Sequence, residues 1–116
     1  MNVTRFAQAP EYFPAEHYLM HCVRLQGHEA GPSNALWMGV STIAPGGYTS
    51  LSASPLEKHY VVLEGEVVVV TEEAETILRQ YDSCRLAPGE SRAIRNTSGR
   101  PAMILLSMPV ADAASA

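Results

Sequence analysis

The chain has 116 residues, 47% of them hydrophobic and 17% charged, with a formal net charge of −4 and a pI near 5.5. That length corresponds to one domain, and that composition buries a core of its own rather than staying disordered. The acidic balance argues against a nucleic-acid surface, and no run approaches the ~18 apolar residues of a membrane span.

Residues 1–16 hold Pro10 and Pro14 among aromatics, which predicts an irregular arm rather than a helix. This N-terminus lacks the charged-then-apolar layout of a signal peptide, so a cytoplasmic location is expected. "HYLMHCVRL", from His17 to Leu25, is rich in β-favouring residues and reads as a strand, followed by a loop in "GHEAGPSN". "ALWMGVSTIA" reads as a strand ended by a turn at Pro45-Gly46-Gly47. "HYVVLEGEVVVVT" gives two strands around Glu64-Gly65, and its four valines require a sheet covered at least partly on both faces. "EEAETILRQY" has helix formers, but its length and place between strands favour a hairpin. Short strands then flank a turn at Pro88-Gly89, and "RPAMILLSMPV" is a last apolar strand before a frayed tail. The expected layout is an arm over 1–16, a single barrel over 17–109 and a flexible tail over 110–116. So many short strands between Gly/Pro turns describe an all-β sandwich or barrel. Cys22 and Cys84 are too few for a disulfide framework and read as reduced, packed thiols. A domain this small gains from hiding further apolar area, which makes a homodimer the expected assembly.

Two spacings carry more. Gly46 is followed by five residues, Ser52-Ala53-Ser54, three residues, Lys58, six residues and Gly65. Tyr81 is followed by five residues, Ala87-Pro88-Gly89, two residues, Arg92, three residues and Asn96. These frames resemble the two motifs of the cupins: Gly, five residues, His-x-His, three or four residues, Glu, six residues, Gly; then Gly, five residues, Pro-x-Gly, two residues, His, three residues, Asn. The resemblance covers roughly residues 35–108. It implies a cupin-type double-stranded β-helix, the jelly-roll barrel.

The departure from the motif is equally informative. At the four positions that hold metal ligands in cupins, this chain has Ser52, Ser54, Lys58 and Arg92. A divalent cation wants imidazole, thiolate or carboxylate donors, and none of these four side chains supplies one. No metal and no other cofactor is therefore expected. Glu57 and His59 are the right chemical types for a displaced site, but alternation along a strand sends them outward if Lys58 and Tyr60 face inward. A bulge would invert that phase and leave a metal-dependent cupin, for instance a dioxygenase, as an alternative. His17, His21 and His28 join such a site only through tertiary geometry.

With the cupin strand phases, the interior holds Ser52, Ser54, Lys58, Tyr60 and Arg92. Buried cations need an anion nearby. Internal candidates are Glu64, Glu66, Asp82 and Glu90; the external candidate is a small anionic metabolite. In the functional reading Arg92 holds a substrate carboxylate through its planar fork, with Ser52 and Ser54 orienting polar atoms. Lys58 is then general base or enolate-stabilising electrophile, and Tyr60 passes a proton, as an isomerase or lyase would require. The rivals are a sensing module that binds without turnover and an inert polar core. Asn96 is expected to close a loop through its amide, and Tyr48 and Tyr81 to lie on the surface.

Overall fold

The computed structural model describes residues 1–110, so the expected tail lies outside the described residues apart from Val110. The strands are β1 (Glu11–Tyr12), β2 (His17–Gln26), β3 (Leu36–Thr49), β4 (Ser52–Ala53), β5 (Lys58–Glu64), β6 (Val67–Val70), β7 (Glu75–Leu78), β8 (Ser83–Leu86), β9 (Ser91–Arg95) and β10 (Ala102–Pro109). Strand neighbours run β7-β6-β9-β3-β10-β5-β8, with β2 on β3, β1 on β2 and β4 on β9. Every pairing is antiparallel. This is the all-β jelly-roll architecture expected from the sequence. No helix among the described residues is long and apolar enough to cross a membrane.

Alternation sets which side chains enter the barrel. In β5, Tyr60 and Val62 are buried while His59 is exposed; in β9, Arg92 and Ile94 are buried between less covered neighbours. The valine run behaves as expected: Val67 and Val69 are buried, and Val68 and Val70 are half-covered. Ile43, Val62, Val67, Ile94, Ala102 and Ile104 form the most deeply buried part of the core. "EEAETILRQY" supplies the expected hairpin, with β6 returning along β7 through a turn at Thr71–Ala74.

Two expectations need correction. Pro45-Gly46-Gly47 does not end a strand; it lies inside β3, which continues to Thr49. Opposite it, Tyr18 faces Tyr48 and Met20 faces Ile43, so Leu19 alone spans four residues of β3. The bulge keeps its backbone bonded elsewhere: Gly46 N donates to Asn96 O and Asn96 N to Gly47 O, both at 2.9 Å. The arm is also more ordered than expected, with a short helical turn at Phe6–Gln8 and β1 paired to β2.

β5 and β6, though consecutive, are separated by β9, β3 and β10 in the strand order. The crossing is made at Gly65, which has φ of 75° and where an added Cβ would sit 2.8 Å from Pro101 O. Gly65→Ala is expected to lower unfolding free energy by about 1–3 kcal/mol, read from the urea midpoint at unchanged slope. A change within experimental error would mean that this connection relaxes freely.

Candidate functional site

A cavity of about 150 Å³ opens at one end of the barrel. Its lining includes apolar Ile94, Ile104 and Leu106 together with His17, Thr49, Ser54, Lys58, Tyr60 and Arg92. Tyr12, Pro14 and Trp37 also line it, so the N-terminal arm contributes to the wall.

Arg92 organises the polar side. It is 4% exposed. Its Nε donates to Tyr60 Oη at 3.1 Å, and its Nη1 to Thr49 Oγ1 at 3.4 Å and Ser52 Oγ at 3.2 Å. Thr49 is held in turn by accepting Ile94 N at 3.0 Å. Every acceptor is neutral. Among the described residues, no carboxylate lies within 4.0 Å of the guanidinium. Nη2 makes no bond within this set, yet no fully buried polar side-chain atom among the described residues lacks a partner. Nη2 therefore keeps some accessible surface, and Arg92 lines both the cavity and a smaller depression beside it.

Lys58 enters the same space from β5, half-buried and with no carboxylate partner among the described residues. Burial, reinforced by the positive charge of Arg92, pulls its amine down to about 8. The internal anions proposed from sequence do not reach this pair. Glu66 pairs with Arg79, Asp82 accepts Arg79 N, and Glu64 is exposed at the end of β5. Glu90 borders a small depression beside Lys58 and Arg92, but its carboxylate accepts Ala87 N at 3.0 Å.

Tyr60 is buried, and burial pushes its hydroxyl up despite the opposing effect of Arg92. Because its oxygen accepts from Arg92, its own proton is free to be donated to a ligand. His17, unassigned from sequence, faces the cavity from the start of β2, opposite Thr49. Its Nδ1 lies 2.7 Å from Ala15 O, and a carbonyl can only accept, so Nδ1 carries the proton and Nε2 the lone pair. Burial, then the charges of Arg92 and Lys58, lower the His17 pKa and keep the ring neutral at pH 7.

Of the sequence-derived candidates, Lys58, Tyr60, Ser54 and Arg92 line the cavity together. Ser54 also accepts Leu56 N at 3.1 Å, which fixes the turn before β5. Ser52 needs correction. It is exposed rather than interior, because β4 is a two-residue strand paired only with β9 at the rim; its hydroxyl still reaches Arg92. Glu57 and His59 lie outside, as the strand phase requires: Glu57 pairs with Arg85 and, at 3.6 Å, with His59. Arg85 holds the Glu57 carboxyl below its ordinary range. The expectation left open for a displaced site is thereby narrowed: among the described residues, no three His, Cys, Asp or Glu side chains converge. The cupin metal does not fit the donors present, since hydroxyls, an ammonium and a guanidinium stand at its ligand positions. Asn96 behaves as expected, 1% exposed with its amide bonded to Ile43 O, Arg100 O and Ser98.

Comparison with known proteins adds four findings. A Mycobacterium tuberculosis protein named "Beta-D-galactosidase Rv1717" is 43% identical over 116 residues, spanning 98% of this chain and all of the relative. The polyketide cyclase RemF of Streptomyces resistomycificus superposes with a TM-score of 0.83 at 15% identity, over 94% of this chain and 79% of that one. A predicted oxalate decarboxylase of Thermotoga maritima gives 0.76 at 21% identity, over 96% of this chain and 100% of that one. At such identities the two structures share the fold alone. Residues 39–108 match the family described as Cupin domain, Cupin_2. With that match and the barrel described above, the chain belongs to the cupin family.

Proposed function

We propose that this cupin works without a metal and binds a small carboxylate-bearing metabolite in its barrel, where it catalyses proton abstraction of the isomerase or lyase type. One observation carries this reading: Arg92 and Lys58 line one cavity, with no carboxylate against either among the described residues. An anionic ligand supplies the missing countercharge and accepts charge-assisted hydrogen bonds from both. Of the two roles that the sequence offers Lys58, its cationic state below about pH 8 supports the electrophile that stabilises an enolate. His17 then takes the role of base, because at pH 7 its Nε2 lone pair is available.

The test is calorimetric titration with small hydroxycarboxylates from about pH 7 to about pH 9.5, where the ligand stays ionised. Lys58 loses its charge as pH rises through about 8, so affinity is expected to fall, by roughly tenfold or more. Lys58→Met is expected to bind weakly and show little pH dependence. Failure of every carboxylate to bind, or an affinity indifferent to pH in the native protein, contradicts the proposal.

A second reading is glycoside cleavage, favoured by the full-length 43% identity to a protein named a β-D-galactosidase. Hydrolysis by the common route uses two carboxyl groups flanking the bond. Among the described residues, the cavity lining contains no Asp or Glu.

A further inference from the structure

We infer that the ligand is a hexuronate glycosylated on the ring carbon next to the one that bears its carboxylate, as in 4-linked oligouronides, and that the pocket cleaves it by β-elimination, with His17 removing the proton and Tyr60 protonating the leaving oxygen. The inference rests on the anion-binding reading above and names its substrate class.

The cavity poses two demands that seem opposed only if the substrate is a neutral sugar. A relative of this chain is named for a glycoside, yet among the described residues the polar wall is built around unneutralised cations and holds no carboxylate pair of the kind a hydrolase uses. A uronide meets both, since it is a sugar ring that carries its own carboxylate. The lining also includes the rings of Tyr12 and Trp37, packed edge to face at 5.7 Å with the Arg24 guanidinium over one face of each, which leaves aromatic surface for the apolar face of a pyranose. The volume of about 150 Å³ is below the roughly 300–1,000 Å³ typical of drug-sized ligands, so one ring fits and the substituent extends outward.

The chemistry follows from the groups in place. Arg92 and Lys58 neutralise the carboxylate, which acidifies the hydrogen on the ring carbon that carries it. His17 is neutral, with its proton committed to Ala15 O, so its Nε2 accepts that hydrogen as a proton. The electron pair forms a double bond to the next ring carbon, and the glycosidic oxygen departs from that carbon. Tyr60, whose oxygen is occupied by Arg92, gives its proton to the departing oxygen. One C–H and one C–O bond break, one C=C bond and one O–H bond form, and no water or redox partner is consumed. The proton on His17 returns to Tyr60 through solvent, which restores the site.

The test incubates the whole protein with oligogalacturonate and oligoglucuronate, and separately with para-nitrophenyl β-D-galactoside, in heavy-oxygen water. Elimination gives an ultraviolet-absorbing conjugated enoate without solvent oxygen. His17→Gln is expected to lower this rate by roughly a hundredfold or more while calorimetric binding of the same uronide is retained. Tyr60→Phe is expected to slow it similarly. A uronide that binds but is never cleaved overturns the elimination and leaves the anion pocket standing. Failure of uronides and of all other carboxylates to bind removes both. Cleavage that incorporates solvent oxygen, or a His17→Gln variant as fast as the native protein, also overturns it.

Discussion

Arg92→Met is expected to abolish carboxylate binding while leaving the unliganded protein more stable than the native one. The two effects have separate origins. Binding is lost because the guanidinium is the most deeply buried cation lining the cavity. Stability rises because a buried cation with only neutral partners has lost its hydration without gaining an opposite charge, an effective penalty of several kcal/mol. Against this, the variant leaves the Tyr60 hydroxyl without its donor, at a cost of about 1–3 kcal/mol. A net gain on the order of 1–2 kcal/mol follows, which raises the melting temperature by about 5 °C in a domain of this size. Thermal melts with and without ligand read both halves at once. A variant that melts well below the native protein, or that still responds to carboxylate, contradicts this account of Arg92. The combination would be a stability–function trade: the site is kept at the expense of the resting fold.

Asn96→Ala should be the most destabilising single change outside the apolar core. Its Nδ2 donates to Ile43 O at 2.9 Å and Arg100 O at 2.7 Å, while its Oδ1 accepts Ser98 N at 3.0 Å and Ser98 Oγ at 2.7 Å. The side chain thus joins the loop after β9 to the bulge in β3 and leaves no valence unused. Truncation removes the Asn96 donor from the Ile43 carbonyl and frees the loop, for a loss of about 3–4 kcal/mol. The melting temperature should fall by roughly 15 °C. Ser98→Ala removes only one end of the network and is expected to cost about 1 kcal/mol. Denaturant unfolding of the two variants checks the ranking, and equal losses would show that the Ile43 bond contributes nothing special.

The phase of the barrel was readable in the chain because side chains in a strand alternate strictly. Once Tyr60 and Val62 are assigned to the core, Lys58 must enter the cavity and His59 must leave it, and both do. The same period carries Arg92 inward beside Ile94. The exposure of Ser52 was not readable, because a two-residue strand at the rim has no neighbours to enforce its phase. Nor was the bulge at Pro45-Gly46-Gly47, whose residues look like a turn. Only the distant Asn96 backbone keeps them in the strand. His17 shows the limit of local pattern most clearly. It reaches the site through pairing of β2 with the far end of β3, and its tautomer through one carbonyl of the arm. No spacing along the chain encodes either. Tyr12 was not legible as part of the pocket, because the arm that brings it in was read as irregular.

The ligand chemistry of the barrel is tested most directly by titrating the chelator-treated protein in a calorimeter against D-galacturonate and, in parallel, against Zn²⁺ and Mn²⁺. Saturable heat from the carboxylate at one site per chain, and none from either cation, is the expected result. A cation bound at one per chain and lost on replacing barrel side chains, with no heat from the carboxylate, would show that lone pairs rather than positive charges converge inside.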